Sequence, residues 1–292
     1  MKLGLQIPFF TWPGGPPQLR SKLGDIGRTA EAAGYDSIWV MDHHFQIPMI
    51  GPAEMDMLEA YTTLGFIAGQ TSRVGLGTMV TGVTYRHPGI LLKQVTTLDV
   101  LSGGRAWLGI GAAWNEEESR ALGWPFPPLR ERFEMLEETL QMANEMWSGG
   151  RGSEGRHEGK QFTATRLLNS PQAISRPRVP IMIGGGGEQK TLRLVAQYAD
   201  ATNVFGGPDR IRHKYAVLRE HCDRLGRPYD DIERSTLQGI DLERDSPAQV
   251  VDWFGQLGEA GAQHVIASVR GVAHLAPLER IGAEILPQLR EL

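Results

Sequence analysis

The chain has 292 residues, of which 41% are hydrophobic and 22% charged, and its formal net charge is −4. This composition is typical of a globular chain with a large core, and the negative charge argues against a nucleic-acid surface or a basic membrane patch. No apolar run approaches the roughly 18 residues of a membrane span, and the single cysteine, Cys222, excludes an internal disulfide and a thiolate-rich metal site, so we expect a cytoplasmic protein.

Apolar strand-like runs alternate with helical stretches along the chain. In chain order, the pattern predicts strands at 3–7, 37–41, 74–80, 107–110, 181–183, 201–205, 236–240 and 265–269. A helical segment follows each of them, and the clearest helices are predicted at 18–34, 58–70, 87–101 and 129–147. Gly34 and Gly103 stand where helices of this kind typically stop.

The alternation breaks from about 148 to 178, where a polar, glycine-rich stretch shows no helical period. We interpret this stretch as an insertion in the loop between the fourth and fifth strands, because the alternation resumes directly after it, and we treat 1–292 as one domain. Eight strand–helix units in a chain of this length predict a (β/α)8 TIM barrel. A doubly wound sheet is the alternative, but its glycine-rich turn after the first strand is replaced here by Pro8-Phe9-Phe10-Thr11-Trp12.

In such a barrel, ligand-binding residues follow the carboxyl ends of the strands. The fourth strand illustrates this, because it passes through small residues and then into an acidic helix start at Glu116. Small residues let the backbone approach a flat ligand, and aromatic residues near the mouth favour a planar aromatic cofactor. The candidate site residues at the strand ends are Asp42, His43, Met79, Val80, Gly111, Ala112, Trp114, Asn115, Gly184, Gly185, Gly186, Gly187, Asn203 and Phe205.

Each group of candidates also has a purely structural interpretation. His43 is either a proton donor or acceptor oriented by Asp42, or one half of a structural pair. The glycines at 184–187 either present backbone N–H groups to a phosphate or form a flexible turn, and barrel phosphate sites more often follow strands seven and eight. Adjacent histidines point in different directions and no third ligand cluster is evident, so we predict no metal site. Arg86 is interpreted as an ordinary residue at a helix start.

Several motifs together resemble the luciferase-like monooxygenase superfamily and, within it, the branch of coenzyme F420-dependent oxidoreductases. The resemblance extends over nearly the whole chain. It implies a TIM-like barrel with an insertion, usually a homodimer, that binds a deazaflavin at the barrel mouth. The motifs that carry it are Trp39-Val40-Met41-Asp42-His43, Leu76-Gly77-Thr78-Met79-Val80-Thr81-Gly82, Leu98-Asp99-Val100-Leu101-Ser102-Gly103-Gly104-Arg105, Gly109-Ile110-Gly111-Ala112-Ala113-Trp114-Asn115 and Ile181-Met182-Ile183-Gly184-Gly185-Gly186-Gly187.

The resemblance also implies roles for individual residues. A non-proline cis peptide forms a bulge behind the central cofactor ring, at the position of Met79-Val80. His43 lies near the ring carbon that exchanges the hydride, and Asp42 is the other member of the Asp-His pair of the family. The implied cofactor contacts are Gly111, Ala112 and Trp114 for the ring and side chain, and Gly186 and Gly187 for the phosphate.

The sequence departs from the sugar-phosphate dehydrogenases of this superfamily after the sixth strand. Where they carry a lysine for the substrate phosphate, this chain has Gly206-Gly207-Pro208, and the apolar loop at 45–49 suits an uncharged substrate. We therefore predict an F420-dependent oxidoreductase that exchanges a hydride between the deazaflavin and a small uncharged molecule, with His43 exchanging the proton. The alternatives are an FMN-dependent monooxygenase of the same fold, which needs a reductase partner, and a non-enzymatic flavin-binding protein.

Overall fold

A closed ring of parallel strands forms the centre of the computed structural model, which describes residues 1–148 and 154–292. Its ring strands, in chain order, are β1 (Lys2–Ile7), β2 (Ser37–Val40), β3 (Gly75–Thr78), β4 (Thr81–Gly82) and β5 (Ala106–Gly111), and then β8 (Ile181–Gly184), β9 (Ala201–Phe205), β10 (Glu233–Ile240) and β11 (His264–Val269). Two further short strands, β6 (His157–Glu158) and β7 (Thr163–Ala164), pair with each other outside the ring. The ring order is β3-β2-β1-β11-β10-β9-β8-β5-β4, and a β3–β5 pairing closes it.

Helices on the outside of the ring connect its strands. They are α1 (Pro16–Ala33), α2 (Ala60–Ala68), α3 (Pro88–Ser102), α4 (Glu116–Leu122), α5 (Leu129–Ser148), α6 (Thr191–Tyr198), α7 (Pro208–Leu225), α8 (Pro247–Glu259), α9 (Ala276–Glu284) and α10 (Leu286–Leu289). β3 and β4 together occupy one of the eight strand positions of the barrel, since both pair with β5. The eight-stranded TIM barrel that the sequence predicts is therefore confirmed. In residues 1–148 and 154–292, no helix is long and apolar enough to cross a membrane.

The sequence signals for helix ends act through ordinary capping. α1 turns its buried side chains, including Leu23 and Ile26, toward the strands. Gly34 then adopts a left-handed conformation with φ of 97°, and its N–H donates to backbone carbonyls of the last helical turn. Gly103 ends α3 in the same way with φ of 74°. Glycine is favoured at both positions because a side chain disfavours positive φ.

Two apolar layers hold the barrel together. The larger layer lies between the helices and the outward-facing strand residues, such as Leu3, Leu5 and Ile38. A smaller cluster contains Trp39 and Met182, both fully or almost fully buried. Side chains alternate between the two faces of a strand, so neighbouring strand residues belong to different layers.

A polar network joins the amino ends of four strands. The His264 ring places Nδ1 2.8 Å from Glu233 Oε1 and Nε2 3.1 Å from Ser37 Oγ. Ser37 Oγ also accepts a 2.7 Å hydrogen bond from Trp39, and Glu233 pairs with Lys2. Burial raises the pKa of Glu233, but the hydrogen bonds and charges of His264 and Lys2 outweigh it and lower this pKa to about 2. The network links the starts of β1, β2, β10 and β11 at the end of the barrel opposite its mouth.

The structure departs from the sequence prediction in two places. The third strand, predicted as continuous from 74 to 80, is interrupted at Met79 and Val80, so that β3 and β4 are separate. The predicted insertion at 148–178 contains the antiparallel pair β6–β7, which is too short to leave a period in the sequence. Glu138 of α5 accepts backbone N–H groups at 160–162 and so ties this pair to the barrel. Residues 149–153 of the insertion lie outside the described part of the chain.

We expect Glu233→Gln to reduce the sensitivity of the fold to acid. A carboxylate with a depressed folded-state pKa stabilises the fold above its unfolded pKa, here 4.5, and this contribution is lost as the pH falls toward 2. Between about pH 7 and pH 3, wild-type protein should lose on the order of 2 kcal/mol from this group, which the variant should not lose. Urea unfolding at both pH values measures the difference. Glu54→Gln, at an exposed position, should keep the wild-type pH dependence, and an equal change in both variants would contradict the prediction.

Candidate active site

His43 lies just after β2 at the barrel mouth, where a buried carboxylate holds its ring. Its Nδ1 atom lies 2.6 Å from Oε1 of Glu118, which belongs to the first turn of α4 and is fully buried. The Tyr85 hydroxyl donates a hydrogen bond to the same carboxylate oxygen and lies 3.3 Å from His43 Nδ1. We call these three side chains the His43–Tyr85–Glu118 cluster.

The second oxygen of Glu118 holds the backbone after His43. Oε2 accepts the N–H groups of His44 at 2.8 Å and of Phe45 at 3.3 Å. Burial raises the pKa of Glu118, but hydrogen bonds from His43, Tyr85 and the His44 backbone outweigh it and leave this pKa below its ordinary value. Glu118 is therefore an ionised acceptor near neutral pH. The sequence pattern indicated Glu118 only as part of the acidic start of a helix.

Asp42 does not orient His43, and that expectation is wrong. Its two oxygens accept hydrogen bonds of 2.5 and 3.0 Å from the guanidinium of Arg86, so the carboxylate is already paired. Arg86 also binds Glu59 and lies 4.9 Å from the ring centre of Tyr61. Burial alone lowers the pKa of Arg86, but the pairing with Asp42 and Glu59 outweighs it and raises this pKa. Arg86 is thus a buried ion-pair residue and not the ordinary helix-start residue that the sequence suggested.

Aromatic rings surround the cluster on the mouth side. The Trp114 ring lies edge-on to His43 with centroids 5.5 Å apart, and the Trp114 residue is 53% exposed. Behind it, His44, Tyr85 and Trp124 form a set of edge-on contacts at 5.1–5.6 Å. A large, flat, exposed indole beside a buried histidine provides a surface on which a planar ligand can stack.

The bulge at the end of β3 confirms one position that the resemblance implied. The Met79–Val80 peptide is cis, and the Val80 side chain points toward the ends of β5 and β8. A Cβ atom added to Gly184 would lie 2.9 Å from a Val80 methyl group, and one added to Gly111 would lie 3.1 Å from another. Both positions therefore need a residue without a side chain to make room for Val80. This requirement is separate from any close approach of a ligand to the same backbone.

Hydroxyl groups replace backbone pairing where the bulge interrupts the sheet. Thr78 Oγ1 donates 2.8 Å to the carbonyl oxygen of Gly109 and lies 3.0 Å from Thr81 Oγ1. Thr81 Oγ1 in turn lies 2.8 Å from the Tyr61 hydroxyl. Buried polar groups need such partners, so this chain of hydroxyl groups holds the two sides of the bulge together.

Of the four glycines at 184–187, Gly184 ends β8 and the other three form a turn that leads to α6. Gly185 has φ of 115° and donates its N–H to the Asn203 carbonyl oxygen at 2.9 Å. Gly186 and Gly187 line a cavity of about 410 Å³ together with Lys214, whose ammonium group is paired with Glu188 at 2.5 Å. The turn thus brings exposed backbone and a cationic side chain to one place.

The remaining predicted residues lie at the same end of the barrel. Ala112 is bound through its carbonyl oxygen to Arg132, and Asn115 is the buried residue before α4. Asn203 is fully buried in the middle of β9, where its side-chain nitrogen donates to Ser235 and its side-chain oxygen has no hydrogen-bond partner among residues 1–148 and 154–292. Phe205, by contrast, is half exposed. The structure therefore brings the predicted residues to one end of the barrel. Among them, Asn203 lies in the buried interior of that end.

A second cavity, of about 800 Å³, lies at the ends of β10, β11 and β1, and sequence reasoning missed it. Aromatic side chains of Phe9 and Trp253 line it. Its arginines are already neutralised, because Arg244 pairs with Asp245 at 2.8 Å and Arg270 with Asp241 at 3.0 Å. Among the described residues, no group of three or more histidine, cysteine or acidic side chains is arranged to hold a metal ion.

The fold and the site define a (β/α)8-barrel protein with a ligand pocket at the carboxyl ends of its strands. The chain belongs to the luciferase-like monooxygenase family, which matches residues 1–290. Over 285 residues it is 30% identical to the F420-dependent glucose-6-phosphate dehydrogenase of Microbacterium testaceum, with 91% of this chain and 79% of that protein aligned. The family predicted from the motifs is confirmed.

Two solved structures share the fold at low sequence identity. The coenzyme F420-dependent tetrahydromethanopterin reductase of Methanopyrus kandleri has a TM-score of 0.79 and 19% identity, over 99% of both chains. An F420-dependent secondary alcohol dehydrogenase, solved in complex with an F420–acetone adduct, has a TM-score of 0.82 and 17% identity, again over 99% of both chains. At this identity the likeness concerns the fold.

We expect Gly184→Ala to destabilise the protein through the Val80 bulge. Because the added methyl group would lie 2.9 Å from Val80, the bulge must shift, at a cost of about 1–3 kcal/mol in the free energy of unfolding. Gly239→Ala in β10 is the matched control, since no atom lies within 4 Å of its added Cβ, and it should change stability by less than about 0.5 kcal/mol. Urea unfolding of both variants tests this. Equal stability of the two variants would show that Gly184 is not needed to accommodate Val80.

Proposed function

We propose that the protein is an F420-dependent oxidoreductase that exchanges a hydride between the deazaflavin and a small, uncharged organic substrate. The relative from Microbacterium testaceum, which aligns with most of the chain, is F420-dependent. The observation that carries the proposal is the position of His43, which is held by Glu118 beside the exposed ring of Trp114. A proton-exchanging group next to a stacking surface is what hydride transfer to a polar carbon requires.

The mouth has features that fit a flat cofactor with an amphipathic ring. The indole of Trp114 is exposed and the Val80 bulge provides an apolar wall. The Asn203 side-chain oxygen is buried and has no hydrogen-bond partner in the described part of the chain. An N–H group of a ligand would satisfy that oxygen. We propose that the cofactor ring and its side chain lie among Met79, Val80, Gly111, Ala112, Trp114, Asn115, Asn203 and Phe205.

The turn after β8 fits the phosphate end of the cofactor. The cavity beside it combines the backbone of Gly186 and Gly187 with Lys190, Lys214 and Glu188, and a phosphate there would replace Glu188 as the partner of Lys214. Backbone N–H groups and lysines suit a phosphate, and the negative tail of the deazaflavin adds a further reason for cations at this rim. We propose that Gly184, Gly185, Gly186 and Gly187 form this phosphate site.

The chain itself supplies orientation, proton exchange and a largely dry site. When bound, the deazaflavin supplies or accepts the hydride. His43 exchanges the proton with the substrate oxygen or nitrogen. Asp42 directly precedes His43, and its ion pair with Arg86 anchors this residue without contacting the His43 ring. The near-complete burial of Glu118 and Asp42 keeps water away from the groups that hold His43.

The second cavity supports an uncharged substrate. Its arginines are paired with carboxylates, so an anionic substrate group would have to displace Asp241 or Asp245. The β9 end carries Gly206-Gly207-Pro208 and therefore no cation at those positions. Phe9 and Trp253 offer apolar and aromatic surface instead. We therefore propose a small alcohol, ketone, imine or activated alkene as the substrate.

We further propose that the enzyme is a homodimer, as the resemblance implies, and that it is cytoplasmic, as its composition and single cysteine suggest. Sedimentation equilibrium of the purified protein should then give twice the chain mass of 32.2 kDa. A mass of one chain at micromolar concentration would contradict the dimer and leave the cofactor proposal unaffected.

Titration of the apoprotein with F420 and, separately, with FMN tests the cofactor. We expect F420 to bind at least about tenfold more tightly, a difference of about 1.4 kcal/mol, because its longer anionic tail reaches the lysines near Gly186. Calorimetry and the fluorescence of each cofactor report the two affinities. Tighter FMN binding would instead favour the oxygen-activating monooxygenase that needs a reductase, and binding of neither would remove the cofactor assignment.

We expect His43→Ala to lower kcat far more than cofactor affinity. Loss of a general acid–base group typically reduces the rate by about 10²- to 10⁴-fold, whereas the F420 dissociation constant should change by less than about threefold. Steady-state kinetics with reduced F420 and a panel of ketones and alkenes gives kcat, and fluorescence titration gives the dissociation constant. His274→Ala, at an exposed position, is the control. Unchanged kcat in His43→Ala would remove His43 from the mechanism.

A further inference from the structure

We propose that Glu118 fixes the tautomer of His43, so that Nδ1 carries a hydrogen and Nε2 is the atom that exchanges a proton with the substrate. This inference rests on the proposed proton exchange by His43. It makes Glu118 a positioning residue, because Glu118 acts through His43 and does not itself reach the pocket.

The contacts of Glu118 require both of its carboxylate oxygens to accept hydrogen bonds. Oε2 faces the N–H groups of His44 and Phe45, which can only donate. Oε1 accepts from the Tyr85 hydroxyl and lies 2.6 Å from His43 Nδ1. An ionised carboxylate accepts hydrogen bonds and donates none, so the short contact requires a hydrogen on Nδ1.

The other ring nitrogen of His43, Nε2, remains available for proton exchange. Nε2 of His43 forms no hydrogen bond with residues 1–148 or 154–292, whereas Nδ1 is engaged by Glu118 and approached by Tyr85. With the hydrogen held on Nδ1, neutral His43 has its lone pair on Nε2. The same atom carries the second hydrogen when the ring is protonated, so it can act in either direction of the reaction.

Tyr85 secures this arrangement and does not compete as an acid. Burial raises the pKa of Tyr85, and the hydrogen bond to Glu118 raises it further, so the hydroxyl stays protonated. Its hydrogen is directed to Glu118 Oε1. Tyr85 therefore fixes the orientation of the carboxylate and leaves proton exchange to His43.

Replacing Glu118 with glutamine should reverse the tautomer. The backbone N–H groups of His44 and Phe45 need an acceptor, so the amide oxygen of the variant takes the position of Oε2. The amide NH2 group then faces His43 Nδ1, which must accept, and the ring hydrogen moves to Nε2. A comparable carboxylate-to-amide change in the Ser-His-Asp hydrolases lowers kcat by about 10⁴-fold through the wrong tautomer.

The test measures the tautomer directly, in the protein without cofactor. Nitrogen-15 NMR of histidine-labelled protein distinguishes a protonated Nδ1 from a protonated Nε2, and His43→Ala identifies the His43 signals among those of the eight histidines. We expect Nδ1–H in wild-type protein and in Tyr85→Phe, and Nε2–H in Glu118→Gln. In turnover, Glu118→Gln should lose about as much kcat as His43→Ala, with F420 affinity changed less than about threefold, and Tyr85→Phe should lose less than about tenfold.

Glu138→Gln is the matched control. Glu138 is also a buried glutamate that accepts three backbone N–H groups and lies beside a histidine, His157, but it anchors the β6–β7 pair. It should change neither the His43 signals nor kcat. Rates lowered equally in Glu118→Gln and Glu138→Gln would indicate general damage and overturn the positioning role.

The outcomes separate this inference from the proposed function. A wild-type Nε2–H tautomer, or an unchanged tautomer in Glu118→Gln, would overturn the inference whatever the turnover. If Glu118→Gln does not fold, the wild-type and Tyr85→Phe spectra still decide the tautomer. Unchanged kcat in His43→Ala refutes the proposed role of His43, and in that case the NMR result stands by itself as a statement about the cluster.

Discussion

The interruption of the barrel wall at Met79 and Val80 is the constraint on which the mouth depends. β3 pairs with β5 through Leu76 and Gly77 only, and pairing resumes at Thr81 beyond the bulge. Room for the displaced chain comes from β5 and β8: a side chain at Gly109 would overlap the Thr78 carbonyl, and Val80 occupies the space beside Gly111 and Gly184. Threonine hydroxyls then supply hydrogen bonds that the interrupted strand lacks. The wall therefore gains an apolar side chain, Val80, at its rim.

The charged side chains on two sides of the mouth differ in their burial. Beside β2 and α4, the carboxylates of Asp42 and Glu118 are almost completely buried, and each is bound by a side-chain donor that fixes its direction. Beside β10 and β11, the ion pairs of Arg244 and Arg270 are exposed and so contribute little to stability. The first side has the rigidity that proton exchange needs, and the second can adapt to the shape of a substrate. This division agrees with a fixed hydride-transfer centre combined with a variable substrate pocket.

The sequence predicts the barrel well because buried parallel strands are continuous apolar runs and because glycine ends several helices. It also predicts that most of the candidate residues lie at or just after strand ends, as the structure has them, whereas Asn203 lies in the middle of β9. It does not reveal which side chains meet there. Glu118 is 75 positions from His43, and Asp42 is 44 positions from Arg86, so adjacency in sequence suggested the wrong pair. The β6–β7 pair escapes prediction for another reason, since two-residue strands leave no periodic signal.

The network at the opposite end of the barrel has a consequence for how this fold can change. Ser37, Glu233 and His264 join the first residues of three strands, at the end of the barrel opposite the mouth loops that follow the same strands. The contacts between strand starts and the candidate ligand-binding loops thus depend on separate residues at the two ends of the same strands. Loops such as 206–208 and 241–245 are consequently free to diversify, or to be randomised in a library, while the network at the amino ends keeps the strands in register. A single scaffold of this kind can acquire new substrates one loop at a time.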